Sequence, residues 1–187
     1  MDTKEIDIMN VINVEIKAYC NDPNFVRDQL KSLGADFEGT DHQIDTYFIT
    51  NRGRLKLREG NIENNLIYYY RDDQVGPKVS DCIICTTDKN TGLKEILSKA
   101  LGLLVVVDKI REIYYIENIK IHIDQVKDIG NFVEIEATDR EGEFEEKELH
   151  AQCSELMNKF RIREVDLIPL SYSDMIQQAS NGKQQSI

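Results

Sequence analysis

No apolar run in this sequence reaches membrane-spanning length; the longest candidate, around residues 101–107, stops at Asp108. The start carries no secretion signal of the charged-then-apolar kind, so a cytoplasmic protein with no membrane partner is expected. A broad basic field is missing as well. With 23 Lys and Arg against 34 Asp and Glu, the net charge of −11 opposes the counterion exchange on which nucleic-acid binding depends. A small anion could still bind wherever basic side chains converge. A zinc framework is also lacking, because Cys82 and Cys85 have no second pair at zinc spacing. Cys20, Cys82, Cys85 and Cys153 are therefore expected to be packed, reduced thiols.

What the sequence does contain is alternation. At 187 residues, the chain reads as one domain over residues 11–178, with a flexible leader at 1–10 and a flexible tail at 179–187. Residues 11–18 place Asn13, Glu15 and Lys17 on one face of a strand and Ile12, Val14, Ile16 and Ala18 on the other. Residues 132–137 repeat the device with Glu134 and Glu136 opposite Val133, Ile135 and Ala137. Strands are expected at 44–50, 54–59, 66–71, 81–87, 105–116 and 119–126. The first two form a hairpin around Asn51-Arg52-Gly53, and Asp81 opens the fourth. Helices are expected at about 23–33, capped by Asp22, after Thr91, and at about 143–160. A short segment closes the chain up to Gln178.

Hairpin connections imply an antiparallel sheet, and the helices supply cover for its oily faces. The opposite faces would then carry both signs of charge: Glu15, Lys17, Lys56, Arg58, Lys109, Arg111, Asp124, Glu134 and Glu136. One such residue alone is most simply a solvated surface group. If the sheet closes, the same set lines a lumen that must be hydrated, internally paired or filled by a complementary ligand. Lys and Arg suit phosphate oxygens, and carboxylates suit a hard divalent cation, so a polyphosphate with Mg2+ is the matching ligand. His42 and His122 read as structural or surface residues, and the acidic run 141–148 as a solvated helix start.

These residues, taken in order, resemble the CYTH family of triphosphate tunnel enzymes, which includes class IV adenylyl cyclases, thiamine triphosphatases and inorganic triphosphatases. The resemblance spans about residues 11–175. It rests on Asn13-Val-Glu15-Ile-Lys17, His42-Gln-Ile-Asp45-Thr-Tyr47-Phe48, Arg54-Leu-Lys56-Leu-Arg58, Lys109-Ile-Arg111, Ile123-Asp124 and Phe132-Val-Glu134-Ile-Glu136. The ending Ser171-Tyr-Ser-Asp174-Met is similar to that of bacterial class IV cyclase-like members. The resemblance implies an α+β fold: a closed eight-stranded antiparallel β-tunnel with helices packed outside. It implies metal ligands at Glu15, Asp124, Glu134 and Glu136 for Mg2+ or Mn2+, and phosphate contacts from Lys17, Lys56, Arg58, Arg71, Lys109 and Arg111. Glu15, Lys17, Glu134 and Glu136 would be the catalytic set. Asn13 stands where the family motif has Glu, and Tyr70 where it often has Lys. The implied activity is cyclisation of ATP to cyclic AMP and pyrophosphate. Hydrolysis of inorganic, thiamine or nucleoside triphosphate and non-catalytic polyphosphate binding are the alternatives, and a tunnel's apolar exterior could support a homodimer.

Overall fold

Alternation sorts side chains onto two faces of each strand, and the ladders between strands decide which faces become continuous. The computed structural model describes residues 12–70, 81–89, 91–139 and 142–184. Its elements in chain order are β1 (Ile12–Tyr19), α1 (Pro23–Ser32), β2 (Asp36–Phe48), β3 (Arg54–Glu59), β4 (Asn64–Tyr70) and β5 (Asp81–Thr86). There follow α2 (Leu93–Leu101), β6 (Leu103–Ile116), β7 (Ile119–Val126), β8 (Gly130–Asp139), α3 (Glu146–Lys159) and α4 (Tyr172–Gln184). All ladders are antiparallel, in the order β1-β8-β7-β6-β2-β3-β4-β5. The eight strands curl into a half-barrel with β1 and β5 at its edges, which gives the expected α+β class, strand number and antiparallel sense. No described helix is long and apolar enough to cross a membrane.

The convex face holds the larger core. Ile16, Ile121, Ile123, Val133 and Ile135 are buried there against Val26 and Leu30 of α1 and Leu149, Cys153 and Leu156 of α3. Each such side chain contributes about 1.5–3 kcal/mol by leaving water. Helix α1 starts where Asp22 accepts a hydrogen bond from the Phe25 N–H at 3.0 Å, with Pro23 as first helical residue. One end of the concave face is apolar. There Tyr47, Val107, Val126 and Phe132 pack with Ile168 and Tyr172, so α4 caps that end. Away from that end β1, β2, β3, β6, β7 and β8 carry charged side chains on the concave face, whereas β4 and β5 place Asn65, Ile67 and Ile84 there.

Four expectations change. Strand β2 begins at Asp36 rather than residue 44, because its polar first half pairs with β6 through a register shift at Phe37/Gly39 that breaks the alternation. Helix α2 starts from Gly92, not Thr91, and buries none of its residues. The chain's end forms the helix α4 rather than a short segment. Its start is held reciprocally: Ser171 Oγ accepts from the Asp174 N–H, and Asp174 Oδ2 from the Ser171 N–H. Cys85 is an exposed free thiol, whereas Cys20 and Cys153 are buried and burial pushes both thiols up to about 11. The side chain of Cys82 lies outside the described residues.

Candidate functional site

Register builds the charged half of the cleft. Glu15 faces Glu136 and Lys17 faces Glu134 across β1–β8; Lys120 faces Glu136 and His122 faces Glu134 across β7–β8. Arg111 faces Asp124 across β6–β7 and Asp41 across β2–β6, while Asp45 faces Arg58 across β2–β3. Directly opposed side chains on one face lie close enough to interact, so each ladder converts sequence alternation into a charge pair.

On β2, β3 and β6 the centre is Asp45, which is fully buried. Its carboxylate accepts from Lys56 Nζ at 2.9 Å, Lys109 Nζ at 2.9 Å, and Arg58 Nε and Nη2 at 2.8 and 3.0 Å. Burial raises the Asp45 carboxyl, but Arg58, Lys109 and Lys56 more than reverse this and hold it well below the usual carboxylate range. One carboxylate cannot neutralise three cations. Burial, together with repulsion from Arg58, Arg111 and Lys56 and only partly offset by Asp45, lowers Lys109 to about 7.

A loop crosses this cluster. The carboxylate of Asp41 accepts from the backbone N–H groups of Asn61, Ile62 and Glu63 at 2.5, 2.9 and 3.0 Å, folding the β3–β4 connection inward. Gly60 permits the approach, since a Cβ there would lie 2.6 Å from the Glu63 carbonyl oxygen and 2.7 Å from Asp41 Oδ2. The fold thereby sets Glu63 between strands that are not neighbours: it accepts from Arg58 of β3 and Lys120 of β7, each at 2.7 Å, and from Gln43 at 3.0 Å. Burial opposes its ionisation, yet Arg58 and Lys120 keep the Glu63 carboxyl far below its ordinary value.

On β1, β7 and β8 carboxylates predominate. Glu134 lies 3.0 Å from Lys17 Nζ and accepts from Arg111 Nη2 at 2.5 Å; Arg111 also grips Asp124 at 2.7 and 2.6 Å. The Tyr172 hydroxyl donates to Asp124 at 2.8 Å, and Lys17 Nζ sits 4.4 Å from the centre of the Tyr172 ring. Burial opposes the ionised forms of Asp124 and Glu134, but Arg111 for the former and Lys17 with Arg111 for the latter pull both below the ordinary range. His122 lies among them, 1% exposed, with Nδ1 3.4 Å from Glu134 Oε2 and 3.7 Å from Glu136 Oε1. One donor atom from each of His122, Glu134 and Glu136 fits within 4.8 Å of the others. Among the described residues neither ring nitrogen of His122 makes a well-aligned hydrogen bond, the approach of Nδ1 to Glu134 Oε2 being 3.4 Å. A buried orphan nitrogen beside two carboxylates is a donor set that fits a divalent cation.

The structure thus gathers Lys56, Arg58 and Lys109 around Asp45, and Lys17, Arg111, Asp124, Glu134 and Glu136 around the second cluster, with Glu15 3.9 Å from Lys17. Arg71 lies outside the described residues. Asn13 accepts a 3.3 Å hydrogen bond from Thr138, and Tyr70 is half exposed with Arg52 over its ring. His42 is exposed and paired with Asp108 at 2.8 Å. Sequence reasoning assigned no role to Asp45, Glu63, Lys120 or Tyr172, and it read His122 as structural. Lys120 shares a face of β7 with the assigned Asp124, so alternation carried a signal for it, whereas β2 holds no assigned residue to mark Asp45. No sequence signal marks Glu63, which lies in a turn.

A family model described as CYTH domain matches residues 11–172. A Methanocaldococcus jannaschii protein named "putative adenylate cyclase" is 30% identical over 176 residues, covering 88% of this chain and 98% of that protein. A solved structure from Pyrococcus horikoshii superposes with a TM-score of 0.76 at 21% identity, covering 87% of this chain and 98% of the other. One from Hippeastrum, named a "putative adenylyl cyclase" that reveals a dominant triphosphatase activity, gives 0.56 at 14% identity over 80% and 88% of the two chains. The family match covers both charged clusters and the curled sheet that carries them, and the chain belongs to the CYTH family.

Proposed function

We propose that the concave face binds a triphosphate and a divalent cation, Mg2+ or Mn2+, side by side and cleaves one phosphoanhydride bond. The observation that carries this reading is the juxtaposition, through Lys109 and Arg111 of β6, of two clusters of opposite excess: three cations around Asp45, and the His122, Glu134 and Glu136 donors within 4.8 Å of one another. Phosphate oxygens would replace carboxylates as partners of Arg58, Lys109, Lys120 and Lys56, with Arg58 able to grip two oxygens at once. Lys17 and Arg111 stand where the two clusters meet and would offset charge that develops on the reacting phosphoryl group. Glu134 and Glu136, with Glu15 and Asp124 beside them, would hold the metal, which supplies charge neutralisation and activation of the attacking oxygen. Catalysis on this reading is positioning and electrostatics.

The preferred reaction is attack of the ribose 3′-oxygen of ATP on the α-phosphorus, giving cyclic AMP and pyrophosphate. The name of the M. jannaschii relative, similar over nearly its whole length, supports it. Hydrolysis is the second reading. Its support is that every charged group in the cleft would find its partner on a bare triphosphate with metal, and that the Hippeastrum neighbour is described by a triphosphatase activity. Incubating the purified chain with Mg2+ or Mn2+ and, separately, ATP, tripolyphosphate and thiamine triphosphate separates them. Cyclic AMP with pyrophosphate identifies the cyclase; orthophosphate alone identifies the hydrolase. Tight binding without any product would leave a polyphosphate-binding module.

A further inference from the structure

We propose that His122 is a nitrogen ligand of the divalent cation, and that it biases the site toward Mn2+ and later transition ions over Mg2+. The inference rests on the metal-binding part of the function proposed above. Its geometric basis is the placement of a fully buried imidazole whose two nitrogens both lack a well-aligned hydrogen bond among the described residues, with Nδ1 facing carboxylate oxygens at 3.4 and 3.7 Å. An unsatisfied buried polar group destabilises a fold by about 1–3 kcal/mol, so a structure that keeps one at the floor of a carboxylate cluster has a use for it.

Among the described residues the polar neighbours of the imidazole are two carboxylates, Glu136 and a Glu134 that already serves two cations. Glu134 Oε2, the oxygen nearest to Nδ1, accepts from Arg111, and Glu134 Oε1 is held by Lys17. The β7–β8 register fixes the imidazole opposite Glu134, and Ile121 and Ile123, its buried neighbours on β7, point to the helix-covered face. His122 therefore points only into the cleft. An oxygen-only site suits Mg2+, which dehydrates reluctantly and seldom takes imidazole, whereas imidazole nitrogen raises affinity for Mn2+ and the ions after it in the first transition row. Exchange of Glu134 from Arg111 to the metal would leave Arg111 on Asp124, where two of its hydrogen bonds already lie.

The test uses the full chain and Mn2+ alone, without nucleotide. Pulsed electron paramagnetic resonance of bound Mn2+ is expected to show hyperfine coupling to a directly coordinated imidazole nitrogen, and the coupling should shift in frequency when histidine is labelled with the heavier nitrogen isotope. In H122Q the coupling disappears while one Mn2+ still binds per chain, and the ratio of Mn2+ to Mg2+ affinity falls by about tenfold. Bound Mn2+ without nitrogen coupling in the wild-type chain overturns the proposal, as does an absence of Mn2+ binding or an unchanged ratio in H122Q. The wild-type spectrum decides even if H122Q does not fold. Triphosphate turnover with no nitrogen coupling would defeat this inference alone, and nitrogen coupling with no turnover would defeat the proposed reaction alone.

Discussion

The two halves of the cleft use the same residue types in opposite proportion. On β2, β3 and β6, joined by the inturned loop and Lys120, the cations Lys56, Arg58, Lys109 and Lys120 surround the carboxylates Asp45 and Glu63. On β1, β7 and β8 the carboxylates Glu15, Asp124, Glu134 and Glu136 surround Lys17, with Arg111 reaching across from β6. Buried charge is tolerated only when paired, and both halves are paired in the absence of ligand. What differs is the surplus. The first half has cationic charge left for an anion, and the second has carboxylate oxygen and one imidazole left for a cation. A triphosphate with its metal satisfies both surpluses, and neither ligand alone does so.

Five changes would break or sharpen this contrast. The largest effect is expected from Glu136→Ala, which should abolish metal-dependent turnover in a product assay while circular dichroism remains that of the folded chain, because Glu136 is only partly buried and packs little. Asp45→Asn should come next. It leaves three cations without their shared counterion and should lower unfolding free energy by about 3–5 kcal/mol in chemical denaturation, with tripolyphosphate restoring much of the loss.

Arg58→Ala should weaken tripolyphosphate binding by roughly 10- to 100-fold in calorimetry, the loss of charge-assisted hydrogen bonds, without altering Mn2+ affinity. Lys109 gives a pH signature. Its ammonium titrates at about 7, so above that pH the free protein holds it neutral. Triphosphate binding favours the charged form, hence binding should take up a proton and weaken by up to about 50-fold as pH rises from about 7 to about 9. Calorimetry in buffers of different ionisation enthalpy reads the proton directly. Smallest is Glu63→Gln, which removes a carboxylate competing for Arg58 and Lys120 and should tighten tripolyphosphate binding by about threefold at low salt, a gain that added salt erases.

Much of this contrast is visible in the chain before folding, because strand alternation is a local property. The shared faces of Glu15 with Lys17, Lys56 with Arg58, Lys109 with Arg111, and Glu134 with Glu136 follow from a period of two, and each lies on the concave side. Partnership is not local. Asp45 becomes the hub of three cations only through the β2–β3 and β2–β6 registers, and Glu63 reaches Lys120 only because Asp41 draws in a loop from 20 or more residues away along the chain. The first half of β2 was hidden by a bulge at Gly39, and α4 by a polar sequence whose start is marked only by Ser171 and Asp174. His122 alternates correctly with Lys120 and Asp124, but its place beside Glu134 and Glu136 without a well-aligned hydrogen bond emerges only from the β7–β8 register.

The separation of the two halves is tested most directly by titrating tripolyphosphate into the wild-type chain and Glu136→Ala at about pH 8 in a metal chelator, with heat and proton uptake recorded together. Saturable binding at one site per chain, with proton uptake and with Glu136→Ala binding at least as tightly as wild type, is the expected result. Binding that vanishes without metal, or that Glu136→Ala abolishes, would contradict the assignment of the anion to the Asp45 half and the cation to the Glu134–Glu136 half.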